Sequence, residues 1–343
     1  MKIWFDILTP KQLLFFEPMI RKLQKNNKLL CTSRNYREVV ELAKIRGINL
    51  VFVGKHGGSD KIGKLDASLT RMYRLLSIVK KFNPELTVSF CSPEASRISY
   101  GLGVRHIAFC DSPHAEAVMR LSLPIIQRLL IPWVIPKKEF TKYGISEEKI
   151  SSYKAIDASV IVKERSKNDL KYNFLLKKKK TILIRPEESE AAYVSDNENR
   201  IIKIIREITK EFQNYNVVIL GRYLPQLSQL KREFGSNVIV MDRVVDGKNL
   251  LKFVDVFIGS GGTMTAEAAL MGIPTISYDA VPNYIEQYLV KNGLVKREED
   301  PQKIVFLVKK ILKSNNKKSR NRAKKLLSSM EDPFSKLITH IKT

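Results

Sequence analysis

The sequence predicts an α/β protein of two Rossmann-like domains, each a parallel sheet covered by helices, and three observations lead there. Short apolar runs alternate with longer amphipathic ones along the chain. The alternation occurs twice, on either side of a polar, lysine-rich stretch over residues 163–180. One run, from Val256 to Tyr278, passes from an apolar strand through a glycine turn into a short helix. It then reaches a second strand through Gly272-Ile-Pro274 with very little loop.

In the first half, strands are expected over 2–8, 29–33, 50–53, 86–90 and 105–110. Helices are expected between them over 15–25, 37–46, 69–82 and 94–101. The apolar segment 121–135 carries Trp133 and is followed by Pro136-Lys137-Lys138. It reads either as a buried helix leading into a sixth strand or as a patch that dips into a membrane interface. In the second half, strands are expected over 181–185, 217–220, 238–241, 256–259 and 275–278. Its helices are expected over 199–212, 224–234, 249–253, 263–271 and 284–291. The domains are therefore drawn as 1–165 and 178–330, with helices over 302–312 and 320–329 free to cross back and brace the first. Open parallel sheets bind ligands beyond the carboxyl ends of their strands, so the expected site is a cleft between the two sheets.

Composition narrows the function classes. A chain of 343 residues with 44% hydrophobic content can bury a core in each of two domains. The start, Lys2-Ile-Trp-Phe-Asp-Ile-Leu8, is a strand pattern rather than a leader. No apolar run is long enough to span a bilayer, so a cytoplasmic protein is expected. Cys31, Cys91 and Cys110 lack metal-ligand spacing and read as small buried hydrophobes, and the four histidines are scattered, so no metal is expected. The net charge of +25 fits nucleic acid, an anionic membrane or a solvated exterior. The lysine runs carry no interleaved aromatics, which argues against nucleic acid. Peripheral contact with the inner face of a membrane stays open.

The glycine turn carries the chemistry. Gly261 and Gly262 let backbone amides approach a ligand, and the helix opening at Thr263 points its positive end at the same place. That is a seat for a diphosphate, with Glu267 one turn on, where a carboxylate can receive two ribose hydroxyls. The alternative is a tight structural turn followed by an ordinary first-turn carboxylate. Arg185 ends the strand over 181–185 and can pair with a phosphate, or with Glu187 or Glu188. Gly221 and Arg222 end the next strand and can frame the base or phosphate. Asp242 fits a turn cap better than a base contact.

The run Gly259-Ser-Gly-Gly-Thr263, then Glu267-Ala and Gly272-x-Pro274, resembles the donor motif of the glycosyltransferase-B superfamily. That superfamily includes the lipid-linked N-acetylglucosaminyl transferase of peptidoglycan synthesis and the UDP-N-acetylglucosamine 2-epimerases. More narrowly, the chain resembles a mainly archaeal family, domain of unknown function 354. The resemblance rests on Phe5-Asp6-Ile7 with Thr9-Pro10, Asp111-Ser-Pro-His114-Ala115, Leu183-Ile-Arg185-Pro186-Glu187 with Ala192-Tyr193, and Gly261-Gly262-Thr263-Met264 with Glu267-Ala-Ala269. It implies a glycosyltransferase-B fold, with diphosphate on Gly261, Gly262 and Thr263 and ribose on Glu267.

Relatives commonly place a histidine in the loop after the first strand. This chain has Thr9-Pro10-Lys11-Gln12 there, so Thr9, Lys11 and Gln12 form the acceptor-loop candidates. Threonine is no general base near neutral pH without help. Asp6 is a candidate carboxylate unless alternation buries it. Asp111 and His114 are a candidate acid/base pair, or else a turn and a backbone-bonded ring. His56, beside Gly57-Gly58-Ser59, sits in a loop that can cover an acceptor.

The expected function is metal-independent, nucleotide-sugar-dependent glycosyl transfer to a glycan or lipid-linked acceptor, with no cofactor. The helix dipole and a cationic side chain stabilise the departing diphosphate. A nucleotide-sugar 2-epimerase is the first alternative. The segment from Tyr278 to Asn283 lacks the arginine usual there in epimerases, which counts against it. A non-catalytic nucleotide-sugar-binding protein is the second.

Overall fold

The structure, a computed structural model, describes residues 1–58, 60–164, 179–186, 198–221, 224–235, 238–278 and 283–342. The chain divides into two compact units, Met1–Val160 with Met330–Thr343, and Ile161–Ser329.

The first unit holds a seven-stranded sheet: β1 (Lys2–Ile7), β2 (Lys28–Asn35), β3 (Val51–Lys55), β4 (Leu86–Ser89), β5 (Arg105–Phe109), β6 (Arg128–Pro132) and β7 (Ile150–Tyr153). Their order is β3-β2-β1-β4-β5-β6-β7, and every pairing is parallel. The order reverses between β1 and β4. Neighbouring connections diverge at such a point and leave a crevice over the strand ends. The helix Pro10–Leu23 starts beside it, with Thr9 as N-cap and Pro10 in its first turn. Its Phe15 and Phe16 pack edge-on against Phe5, Phe90 and Phe109, fixing the helix over the strand ends.

The second unit holds β8 (Thr181–Arg185), β9 (Asn216–Leu220), β10 (Ile239–Met241), β11 (Val256–Gly259), β12 (Thr275–Ser277) and β13 (Val295–Arg297). Their order is β10-β9-β8-β11-β12-β13, again parallel throughout, with the switch between β8 and β11. The alternation of side chains makes two cores. Ile182, Ile184, Val217, Ile219, Val256 and Ile258 pack with Ile204, Ile205, Ile208, Ile304 and Val308 from the helices Glu198–Glu211 and Pro301–Lys313. Leu183, Val218, Leu220 and Phe257 pack on the other face with Leu250, Leu251 and Ala268.

One open alternative is decided for the buried reading, and other expectations change. The segment 121–135 runs through a 3₁₀ turn, Leu123–Ile125, into β6. Leu123, Ile126, Leu129, Leu130 and Ile131 are buried, so it belongs to the core. The helices Pro301–Lys313 and Lys317–Ser328 stay with the second unit. A Cβ on Gly272 would lie 2.9 Å from the Arg320 Cα, so the latter helix is packed tightly there. The helix that returns to the first unit is Pro333–Lys342, which buries Leu337 and accepts a hydrogen bond from Arg105 at the His340 carbonyl. Among the described residues, no helix is long and apolar enough to cross a membrane.

Candidate functional site

In the second unit the site forms at the switch point, where Arg185 of β8 stands in register with Gly259 of β11. Gly259 must be glycine, since a Cβ would come within 2.6 Å of the Phe257 ring and 2.8 Å of Thr265 Oγ1. Gly261 has φ +83°, the left-handed region that disfavours side chains, and its amide donates to Thr265 Oγ1 at 3.2 Å. Gly262 differs from both. Its φ is −78°, open to any residue, and a Cβ there would meet nothing within 4 Å. It N-caps the helix Thr263–Leu270 without a side-chain cap, so the first amides keep donors for an outside group. A glycine demanded by neither backbone nor packing fits close approach of a ligand.

Glu267 lies on the next turn of that helix, 5% exposed, and no described residue donates a hydrogen bond to its carboxylate. Burial pushes its pKa up to about 8, helped by the nearby Asp246 and opposed by Lys248 and Arg185. Such a carboxyl lacks donors among the described residues and is mostly protonated at neutral pH. Two hydroxyls would satisfy it in the ionised form. Arg185 anchors the same corner by donating from Nη1 to the carbonyls of Leu220 and Gly221, each at 2.8 Å. Gly221 also serves packing, as a Cβ would lie 2.6 Å from Leu227 Cδ2. Arg222, Glu187 and Glu188 lie outside the described residues, as do Ala192 and Tyr193. Asp242 is exposed and paired with Lys231 at 2.8 Å; the cap position belongs to Asp246, buried at the start of the helix Gly247–Leu251.

In the first unit, Lys11 is the centre. Its ammonium pairs with Asp111 and with Asp157, the latter at 2.9 Å, and sits 4.7 Å from the centroid of the Phe90 ring. Tyr153 donates to Asp157 Oδ1 at 2.6 Å, and Ser112 donates to Asp111 Oδ1 at 2.8 Å. Burial pushes the Asp157 carboxyl up to about 7, with Lys11 pulling it down and Asp111 pushing it up. Burial works against ionisation of Asp111 too, but Lys11 overrides it and holds that carboxyl below its usual range. Asp111 keeps partial exposure, whereas Asp157 is closed off. His114 is on the exposed side of the same loop, which Tyr143 ties down by donating to the Pro113 carbonyl at 3.0 Å. Partial burial lowers the His114 pKa, with Asp111 opposing and Lys11 assisting.

Asp6 is not available for chemistry. It is fully buried and chelated by Arg71 through bonds of 3.0 and 2.6 Å, and it accepts from Ser92 and Thr32 at 2.6 Å each. Burial disfavours the anion, but Arg71 outweighs it and keeps Asp6 ionised. Thr9 and Gln12 are occupied with the helix start: Thr9 Oγ1 accepts from the Gln12 amide and Gln12 Oε1 accepts from the Leu8 amide. Of the three acceptor-loop candidates, Lys11 alone is aimed at charged partners.

Sequence reasoning missed Asp157 and Tyr153, whose spacing of four residues across the end of β7 was the available signal. It also missed Asp246 and Lys248, announced by Asp246-Gly247 at a helix start. Among the described residues, no three His, Cys, Asp or Glu side chains gather as metal ligands would.

Two all-parallel units with these strand orders and a glycine turn at the second switch point make the chain a protein of the glycosyltransferase-B fold. It belongs to the family described as "Protein of unknown function (DUF354)", whose model matches residues 1–342. It is 27% identical over 322 residues to a Methanocaldococcus jannaschii protein named "Uncharacterized protein MJ0665", covering 89% of this chain and 90% of that one. In structure it is similar to a UDP-GlcNAc 2-epimerase from Neisseria meningitidis bound to UDP-GlcNAc, with TM-score 0.77, 16% identity and all of both chains covered. It is also similar to the spinosyn rhamnosyltransferase SpnG complexed with thymidine diphosphate, with TM-score 0.63, 13% identity and all of both chains covered.

Proposed function

We propose that the protein is a nucleotide-sugar enzyme, and specifically a glycosyltransferase whose second unit binds the donor and whose first unit receives the acceptor. The observation that carries this reading is the pairing of Gly262, open to an outside group at a helix N-terminus, with Glu267, a buried carboxyl to which no described residue donates. The diphosphate sits on the amides from Gly262 onward, and Glu267 takes the two ribose hydroxyls. As the acceptor hydroxyl attacks the anomeric carbon and the nucleoside diphosphate departs, His114 takes the hydroxyl proton. Asp111 steadies the imidazolium that results. The helix dipole and the positive charge of Arg185 balance the charge on the leaving group, so the reading needs no metal and no cofactor.

The surplus of positive charge favours an anionic glycan or lipid-linked acceptor, and approach to an anionic membrane. The face suited to such a membrane is the helix Lys61–Phe82, which exposes Ile62, Leu65, Leu69, Tyr73 and Leu76 alongside Lys61 and Lys80.

Epimerisation at C2 is the second reading, favoured by the Lys11–Asp111–Asp157 cluster, which can move protons near neutral pH. Thermal unfolding with UDP, GDP, dTDP, ADP and CMP sugars, repeated on Glu267→Ala, tests the donor site. One nucleotide should raise Tm in the wild type alone, and no shift with any of them sinks both readings. Incubation of the binding sugar nucleotide in D2O then separates them. Deuterium at C2 marks the epimerase, and labelled sugar on an acceptor marks the transferase.

A further inference from the structure

Arg34 stands at the carboxyl end of β2, one strand from the switch point of the first unit. The pairing of β2 with β3 slips there. Ser33 pairs with Phe52 and Asn35 with Lys55, so Arg34 faces two residues, Val53 and Gly54. Gly54 takes φ +75° and packs against the Arg71 side chain. Bulges of this kind re-aim a side chain at a sheet end.

The re-aimed guanidinium has a nitrogen that meets no acceptor among the described residues. Its Nε is shut off from solvent, and no described residue accepts a hydrogen bond from it or forms an ion pair with it. The carboxylates nearby are committed elsewhere: Asp6 to Arg71, Ser92 and Thr32, and Glu94 to Ser92 at 3.3 Å and Arg71 at 3.7 Å. Arg34 is half-buried, and a guanidinium N–H closed off from water with no acceptor is costly, so a fold that builds one has a use for it. On the same rim of the sheet, two strands away, Cys91 holds φ +48° between β4 and the Ser92 cap, a second irregularity. Burial also disfavours the charged form of Arg34, with Arg71 adding to this and Glu94 and Asp6 opposing; an incoming anion relieves that cost.

We propose that Arg34 anchors an oxyanion subsite in the first unit, binding a phosphate or carboxylate group through the planar fork of its guanidinium. That the anion belongs to the sugar acceptor rests on the transferase reading; that an oxyanion binds here does not.

The test reads Arg34 itself, by ¹H–¹⁵N NMR of arginine Nε–Hε groups in the full chain. Its shielded Nε–H gives a resonance assigned by its loss in Arg34→Gln, or in Arg34→Lys should the first variant fail to fold. Inorganic phosphate and acetate are titrated separately at constant ionic strength. A saturable shift of the Arg34 resonance with either supports the subsite, phosphate alone marking a phosphorylated ligand and acetate alone a carboxylate. An Arg34 resonance that stays put, or drifts linearly like those of exposed arginines, overturns it. Failure here leaves the nucleotide-binding result at Glu267 untouched, and the reverse holds equally.

Discussion

Replacing Glu267 by glutamine should stabilise the protein, and more so as pH rises. The carboxyl has an ordinary pKa of 4.5 and one of about 8 in the folded state. Between those values the unfolded chain binds fewer protons than the folded one, so wild-type stability falls with rising pH through that window. Each unit is worth about 1.4 kcal/mol, which sets a ceiling on the order of 5 kcal/mol above pH 8 and on the order of 3 kcal/mol gained by the variant between pH 5 and 8. For a unit of this size that is a Tm gap widening by roughly 6–12 °C. Trp4 and Trp133 both belong to the first unit, so calorimetry reads the second unit better than tryptophan fluorescence. Glu267→Gln and wild type are scanned at pH 5, 6, 7 and 8. Parallel Tm curves, or a gap that narrows toward pH 8, refute the buried, donor-less carboxylate. A ribose diol reverses the pressure by favouring the anion, so nucleotide binding near pH 7 should release protons. Titration calorimetry in buffers of different ionisation enthalpy detects this, and the variant should lose it.

Asp6→Asn takes from Arg71 its chelating counter-charge, leaving only Glu94 at 3.7 Å, and should cost about 3–5 kcal/mol in urea unfolding, read by the buried Trp4 of the same strand. His114→Gln should leave that unfolding curve in place and lower sugar transfer by roughly 10²–10⁴-fold. Because its pKa lies below the ordinary 6.5, the acid limb of wild-type turnover should have its midpoint below pH 6.5. Gly262→Ala should change Tm little, its φ and surroundings being open, while abolishing the nucleotide-induced shift; Gly261→Ala, at φ +83°, should destabilise the fold by about 1 kcal/mol or more. Leu65→Glu with Leu69→Glu should abolish co-sedimentation with vesicles containing phosphatidylserine, leaving Tm unchanged; retained binding removes the helix Lys61–Phe82 from that role.

What could be read from the chain follows from how locally each feature is encoded. Strand β11 and the turn to Glu267 are written in one unbroken run, where apolar residues, glycines and a carboxylate each keep their meaning without outside help. Strands such as β8 and β9, apolar on both faces, announce themselves in the same way. By contrast β7, Ile-Ser-Ser-Tyr, buries only its two ends, and β13, Val-Lys-Arg, buries only its valine; neither has a pattern to recognise. The first unit's site is harder for a different reason. A carboxylate's role is set by the cation that tertiary structure brings to it, and that cation comes from elsewhere in the chain. Asp6 looks reactive in an apolar strand until Arg71, 65 residues later, takes both its oxygens. Lys11 looks like a loop residue until Asp111 and Asp157 converge on it from the far ends of β5 and β7. Arg34 is the complementary case. Nothing local distinguishes it from other arginines on strand ends, and only the folded chain shows that every carboxylate near it is already taken. In each case the informative quantity is the balance of donors, acceptors and charges left once the chain has satisfied its own. Among the described residues that balance points to Glu267 as lacking donors and to the Arg34 Nε as lacking an acceptor, and it removes Asp6 from the chemistry.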